Sequence, residues 1–169
     1  MNAVSRFGRL LLAAGMLATA AAAHAQAPPK VGDRLVMPEV LLLDGTRLSA
    51  ADFAGKPLVI EYWASWCPYC ARQNPHLQKL TEAARDKGLR ILTVSIDKDE
   101  QAARDYIAKH GYTFGVAMDS EALRAVFGKR RVVPEVFVLD ASGKLVEDIP
   151  GEMFEEDMLE LLRHAPPRS

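Results

Sequence analysis

The chain has 169 residues, 21 Lys and Arg against 22 Asp and Glu, a net charge of −1 and 49% hydrophobic residues. Charge so evenly balanced leaves no electrostatic footprint for nucleic acid, and the hydrophobic content is that of a folding chain rather than a disordered one. The length suits a single domain, and the cysteine count is two, Cys67 and Cys70.

At the N-terminus, Arg6 and Arg9 precede an apolar stretch from Leu10 to Ala23, and Ala23-His24-Ala25 has the small-x-small form of a signal peptidase site. Residues 1–25 therefore read as a signal peptide cleaved after Ala25, the apolar run being short and Ala-rich for a retained anchor. Residues 26–35, polar and Pro-containing, read as a flexible lead-in. The folded domain is expected over residues 36–164, with a loose tail at 165–169. From Val36 to Leu48, two short apolar segments flank the turn dipeptide Asp44-Gly45, which predicts a hairpin.

Leu58 to Trp63 is an apolar run rich in Val, Ile and aromatics, the pattern of a buried parallel strand, and Pro68 sits where a helix takes its first turn. Cys67-Pro68-Tyr69-Cys70 thus stands at a strand-to-helix junction. There the unpaired N–H groups and the positive end of the helix dipole favour a thiolate, which makes Cys67 the candidate nucleophile. Cys70, three residues on, lies on nearly the same helix face one turn deeper, where it can attack a mixed disulfide formed at Cys67. Structural readings fit less well. Zinc needs four ligands and there is no second Cys pair, and haem attachment needs His where Ala71 stands. A bridge spanning two residues would restrict the unfolded chain little. Glu61 lies inside the same apolar strand, where a charged carboxylate is costly, so its pKa is expected to rise into the working range of an acid–base group.

Gln73 to Asp86 has Leu77, Leu80 and Ala84 at helical spacing, with Pro75 expected to kink the helix. Leu89 to Ile96 reads as a second buried strand, and Asp97-Lys98-Asp99-Glu100 opens a helix ending at His110-Gly111. A short strand at 114–118 and a short helix at 121–127 follow. Val132 to Asp140 is an apolar strand beginning with Pro134, which costs no ladder bond only at a strand start or edge. After the turn at 141–144 come a final strand, Leu145 to Ile149, and a closing helix, Met153 to His164. This order predicts an α/β fold with a mixed sheet and helices on both faces.

The phrase Val59-Ile60-Glu61-Tyr62-Trp63-Ala64-Ser65-Trp66-Cys67 resembles the strand-to-active-site signature of the thioredoxin superfamily, and the chain as a whole is most similar to its TlpA-like branch of extracytoplasmic thiol–disulfide oxidoreductases. The resemblance implies a thioredoxin-like fold with an N-terminal β-hairpin and a central helix-strand insertion. It also implies that Pro134 is a cis-proline facing the dithiol, that Val133 lends its backbone to an incoming peptide, and that Trp66 shields the site and meets partners. Glu61, at the position of a buried acid in related enzymes, would take the proton from Cys70. Gln73 is a departure, since several reductases of this branch carry Glu there, which weakens transfer of their mechanism. Arg130 and Arg131, just before Pro134, read as a solvated turn, the commoner case for such a pair, or as cations near Cys67 that lower its pKa or attract an acidic partner.

The sequence therefore reads as a periplasmic thiol–disulfide oxidoreductase acting on cysteine-containing exported proteins, more as a reductase than as an oxidant, with cytochrome c maturation among the roles of its relatives. No cofactor is expected beyond the Cys67–Cys70 pair, no metal site and no nucleic-acid partner. A reductase in an oxidising compartment would need a membrane electron donor. The alternatives are a copper chaperone holding Cu(I) on the reduced pair, an oxidising enzyme, or a module that binds extended peptides without turnover.

Overall fold

The computed structural model describes residues 28–167, so the expected signal peptide lies outside the described residues. Leu58–Trp63 (β3) is buried along its whole length and forms the middle of a five-stranded sheet. Arg90–Ser95 (β4) pairs with it in parallel, and Gly115–Met118 (β5) pairs in parallel with β4. On the other side Glu135–Leu139 (β6) and Leu145–Pro150 (β7) run antiparallel, giving the order β5-β4-β3-β6-β7.

Because side chains alternate along a strand, β3 sorts its residues onto two faces. Leu58, Ile60 and Tyr62 join the core beneath the short helices Ala50–Phe53 (α1) and Glu121–Phe127 (α4). Val59 and Trp63 belong to the opposite core, covered by Pro68–Ala84 (α2), Glu100–His110 (α3) and Glu155–Glu160 (α5), the last running into a tight turn of helix at Leu161–His164. Glu61 falls between Val59 and Trp63 on this second face. The fold is the thioredoxin-like α/β architecture expected, with its hairpin reduced to Val40–Leu41 (β1) and Arg47–Leu48 (β2).

Both sheet edges are covered, as edge strands in soluble proteins must be. The hairpin lies against β5, with a bridge from Leu42 to Ala117 and Leu43 N–H donating to the Val116 carbonyl at 2.7 Å. The far edge, β7, receives the chain before the hairpin. Gly32 N–H donates to the Leu145 carbonyl and Leu145 N–H to the Asp33 carbonyl, each at 2.8 Å. Of the expected lead-in over 26–35, residues 26 and 27 lie outside the described residues, and Gly32, Asp33 and Leu35 pair through their backbone, which the polar composition gave no sign of. The expected loose tail at 165–169 is likewise packed at its start, where Pro166 lies against Gly88 so closely that a Cβ on that glycine would stand 2.9 Å from its ring.

Two local expectations also shift. The third helix starts at Glu100 with Asp99 as its N-cap, and Gly111 (φ 68°) ends it. Asp97 is left outside that helix, with a different task. Pro75 lies inside α2 as expected, and the helix continues past it to Ala84. Arg130 is not at Cys67: its side chain is 4% exposed, pairs with Glu135 at 2.8 Å, and stacks over Tyr62 and Phe137 on the face away from Glu61.

That ion pair anchors the loop leading to Pro134. Arg130→Ala would strand a largely buried Glu135 and should lower the unfolding free energy by about 3 kcal/mol. The double variant Arg130→Met/Glu135→Leu should recover most of the loss in urea titrations, and an unchanged stability in the single variant would contradict this role.

Candidate active site

Cys67 caps the N-terminus of α2, and its Sγ accepts a hydrogen bond from the Cys70 N–H at 3.3 Å. Pro68 at the first helical position has no N–H to leave unpaired there. The Cys67 thiol donates to the Val133 carbonyl at 3.4 Å, which brings the dithiol against the loop of Pro134, and the Val133–Pro134 peptide is cis, as the resemblance implies. Both cysteines are free thiols, Cys67 at 4% exposure and Cys70 wholly buried.

Beneath them, α2 turns inward a stripe of Cys70, Gln73, Asn74, Leu77, Leu80 and Ala84, the spacing of one helix face. Glu61 meets the polar upper part of that stripe and is itself wholly buried. Burial pushes the Glu61 carboxyl up from its ordinary 4.5 to about 8, and hydrogen bonding from Gln73 draws it partly back. Burial, reinforced by the hydrogen bond with Cys67 and by the charge of Glu61, pushes the Cys70 thiol well above its ordinary value. Glu61 lies close enough to Cys70 for its charge to be felt there.

Trp66 and Tyr69 stand exposed beside Cys67, at 66% and 54%, with the Arg72 guanidinium 4.7 Å from the Tyr69 ring centroid. Trp63 is core, its indole N–H donating to Thr93 Oγ1. Asp97 is a residue whose role the sequence did not disclose. Its carboxylate accepts from the Ser65 N–H at 3.0 Å, from Ser65 Oγ at 2.9 Å and from Ser95 Oγ at 2.8 Å. It thereby braces the turn between β3 and Cys67 from the end of β4, whereas its neighbours in sequence suggested only a helix start. Asn74 is the second such residue. The signal was available in its position four residues after Cys70, but a polar side chain there carries no mark of burial.

The Redoxin family model matches residues 30–162. The chain belongs to the Redoxin family. Within it, the thiol-disulfide oxidoreductase ResA of Bacillus thuringiensis subsp. konkukian is 27% identical over 126 residues, covering 74% of this chain and 72% of that protein. ResA of Geobacillus thermodenitrificans is 26% identical over 126 residues, with the same coverage of 74% and 72%. Among solved structures, a thioredoxin-family thiol:disulfide interchange protein from Chlorobium tepidum TLS superposes with a TM-score of 0.71 at 22% identity, covering 82% of this chain and 99% of that one. StoA from Bacillus subtilis gives 0.64 at 24% identity, covering 73% and 93%. This Redoxin is a TlpA-like member of the thioredoxin superfamily and a thiol–disulfide oxidoreductase, with cysteine-containing proteins as its substrates in the general sense. Among the described residues no group of three or more His, Cys, Asp or Glu is arranged to hold a metal.

Glu61 also sets a pH dependence for stability. Its folded-state pKa, about 8, lies above the ordinary 4.5, so between these values the native state holds a proton that the unfolded chain has released. Stability then falls as pH rises through this window, by at most about 1.4 kcal/mol per pH unit, and is unaffected by Glu61 below it. Glu61→Gln should therefore gain on the wild type progressively from about pH 4.5 to pH 8 in urea titrations. Parallel profiles across that range would contradict the burial of an ionisable Glu61.

Proposed function

We propose that this Redoxin is an exported thiol–disulfide reductase working in the periplasm, with the Cys67–Cys70 pair as its only redox group. Residues 1–25 would direct export and be removed, and the mature domain would act on disulfides of other exported proteins, drawing electrons from a membrane donor. The Ala23-His24-Ala25 motif supports export. Among the described residues no helix is long and apolar enough to cross a membrane.

In the reducing direction, the Cys67 thiolate attacks one sulfur of the target disulfide. A Cys67–target bond forms and the other target sulfur leaves as a thiolate. The Cys70 thiol then passes its proton to the Glu61 carboxylate and attacks Cys67 Sγ, releasing the second target sulfur. The target has gained two electrons and the enzyme carries the Cys67–Cys70 disulfide. In this scheme Trp66 and the Val133–Pro134 segment receive the target chain.

The observation that carries the reading is a nearly buried thiol at the helix cap, followed one turn deeper by a wholly buried thiol that senses the charge of a wholly buried acid.

Cys67→Ser should abolish disulfide exchange, whereas Cys70→Ser should retain the first attack and accumulate mixed disulfides with the target. Equilibration with thiol buffers should give a reduction potential near the roughly −270 mV of a thioredoxin, and a value near about −120 mV would reverse the direction. Exchange that survives loss of Cys67 would remove the mechanism.

A further inference from the structure

Among the described residues no cation is among the groups that shift the wholly buried Glu61. The titratable groups that sense it are Cys70 of α2, Tyr106 of α3 and Tyr112 just after α3, all of them neutral or anionic. Its carboxylate form therefore depends on neutral hydrogen-bond donors, and two consecutive side chains of α2, Gln73 and Asn74, are placed to supply them. Both are wholly buried amides.

An amide can face a carboxylate with its nitrogen or its oxygen, and only the first stabilises charge. Outer partners settle which. Gln73 Oε1 accepts the Met153 N–H at 2.5 Å, ahead of α5, which leaves its Nε2 buried and without a hydrogen-bond partner. The outer end of the Asn74 amide lies 3.4 Å from the Tyr106 hydroxyl. With its nitrogen turned inward, Asn74 donates to Glu61 Oε1 and to the Cys70 carbonyl, each at 3.2 Å, and the arrangement satisfies both ends of the amide. The Tyr106 hydroxyl is then free to donate to Asn74 Oδ1.

We propose that Gln73 and Asn74 form an oriented donor clamp that holds Glu61 ready to act as a base, with Tyr106 and the Met153 backbone fixing the direction of each amide. They are positioning residues, acting on Cys70 only through Glu61. Asn74 reaches only Oε1, so Glu61 Oε2 and Gln73 Nε2 both stay buried without a hydrogen-bond partner, an oxygen available to take the proton and a donor available to hold the charge. It also gives the neutral amide at position 73 a reason: a carboxylate there would set a second negative charge against Glu61. The inference rests on the proposed acid–base role of Glu61.

The test is the pH profile of the resolving step alone. Enzyme carrying glutathione as a mixed disulfide on Cys67 is mixed at varied pH, and release of glutathione by Cys70 is followed. Losing a donor to a carboxylate raises its pKa, here by about one pH unit, so the fraction of Glu61 able to act as base at pH 7 falls about tenfold. Asn74→Ala and Gln73→Met should each slow release about tenfold at pH 7, with profiles that shift upward and converge on the wild type at higher pH. Tyr106→Phe removes one hydroxyl at a half-exposed residue, touches neither sulfur, and should shift the profile in the same direction by less. It carries the test if an amide variant fails to fold. Unshifted midpoints in these variants, or a loss uniform across pH, would overturn the clamp. Glu61→Gln separates the two ideas. A flattened profile in that variant with unshifted profiles in the others rejects the clamp alone, and a wild-type profile in Glu61→Gln rejects the acid–base role and the clamp with it.

Discussion

An ionisable carboxyl inside the central strand of a dry sheet is the constraint to which the rest of this structure answers. An isolated charge there would cost several kcal/mol, so the group holds its proton well above the ordinary carboxylate range. That cost is tolerable because the acid sits where a proton has to move. Cys70, equally buried, has no solvent to receive its proton, and its thiolate is disfavoured by the same low dielectric. The two groups share one environment, and in the proposed mechanism each supplies the other's missing partner.

Two periodicities bring them together. Alternation along β3 sends Val59, Glu61 and Trp63 to one face, and the helical repeat of α2 sends Cys70, Gln73, Asn74 and Leu77 down onto it. Cys67, at the cap of α2, remains at the surface end, held between the Cys70 N–H and the Val133 carbonyl. The turn that delivers it is braced by Asp97 through Ser65, and the loop that meets it is anchored from the far face of the sheet by Arg130 and Glu135. A reactive sulfur at a loop tip is thus fixed by side chains that never touch it.

Much of this was legible in the sequence, for physical reasons. A wholly apolar strand is unmistakable when it is buried on both faces, and a single acid within it must be either paired or perturbed, which singled out Glu61. Pro68 and the three-residue spacing placed both cysteines on the first turn of a helix. What could not be read were partnerships between segments distant in the chain. Asp97 looks like a helix-opening acid until Ser65, 32 residues earlier, is seen beside it. Arg130 looks like a cation for the thiol, but its long side chain turns through the loop to Glu135 and the aromatic rings of the opposite core. The segment from Lys30 to Leu35 has no strand pattern because its backbone alone does the pairing. Asn74 is polar at a helix position that only the packing of α3 reveals as interior.

The most direct measurement is the ionisation of Glu61 itself in the reduced protein, read from the infrared carboxyl band that is lost in Glu61→Gln. A midpoint near pH 8 is the result this account requires. A midpoint near the ordinary 4.5 would mean that Glu61 reaches water, that Cys70 is not dependent on it, and that the buried acid is not the centre of the site.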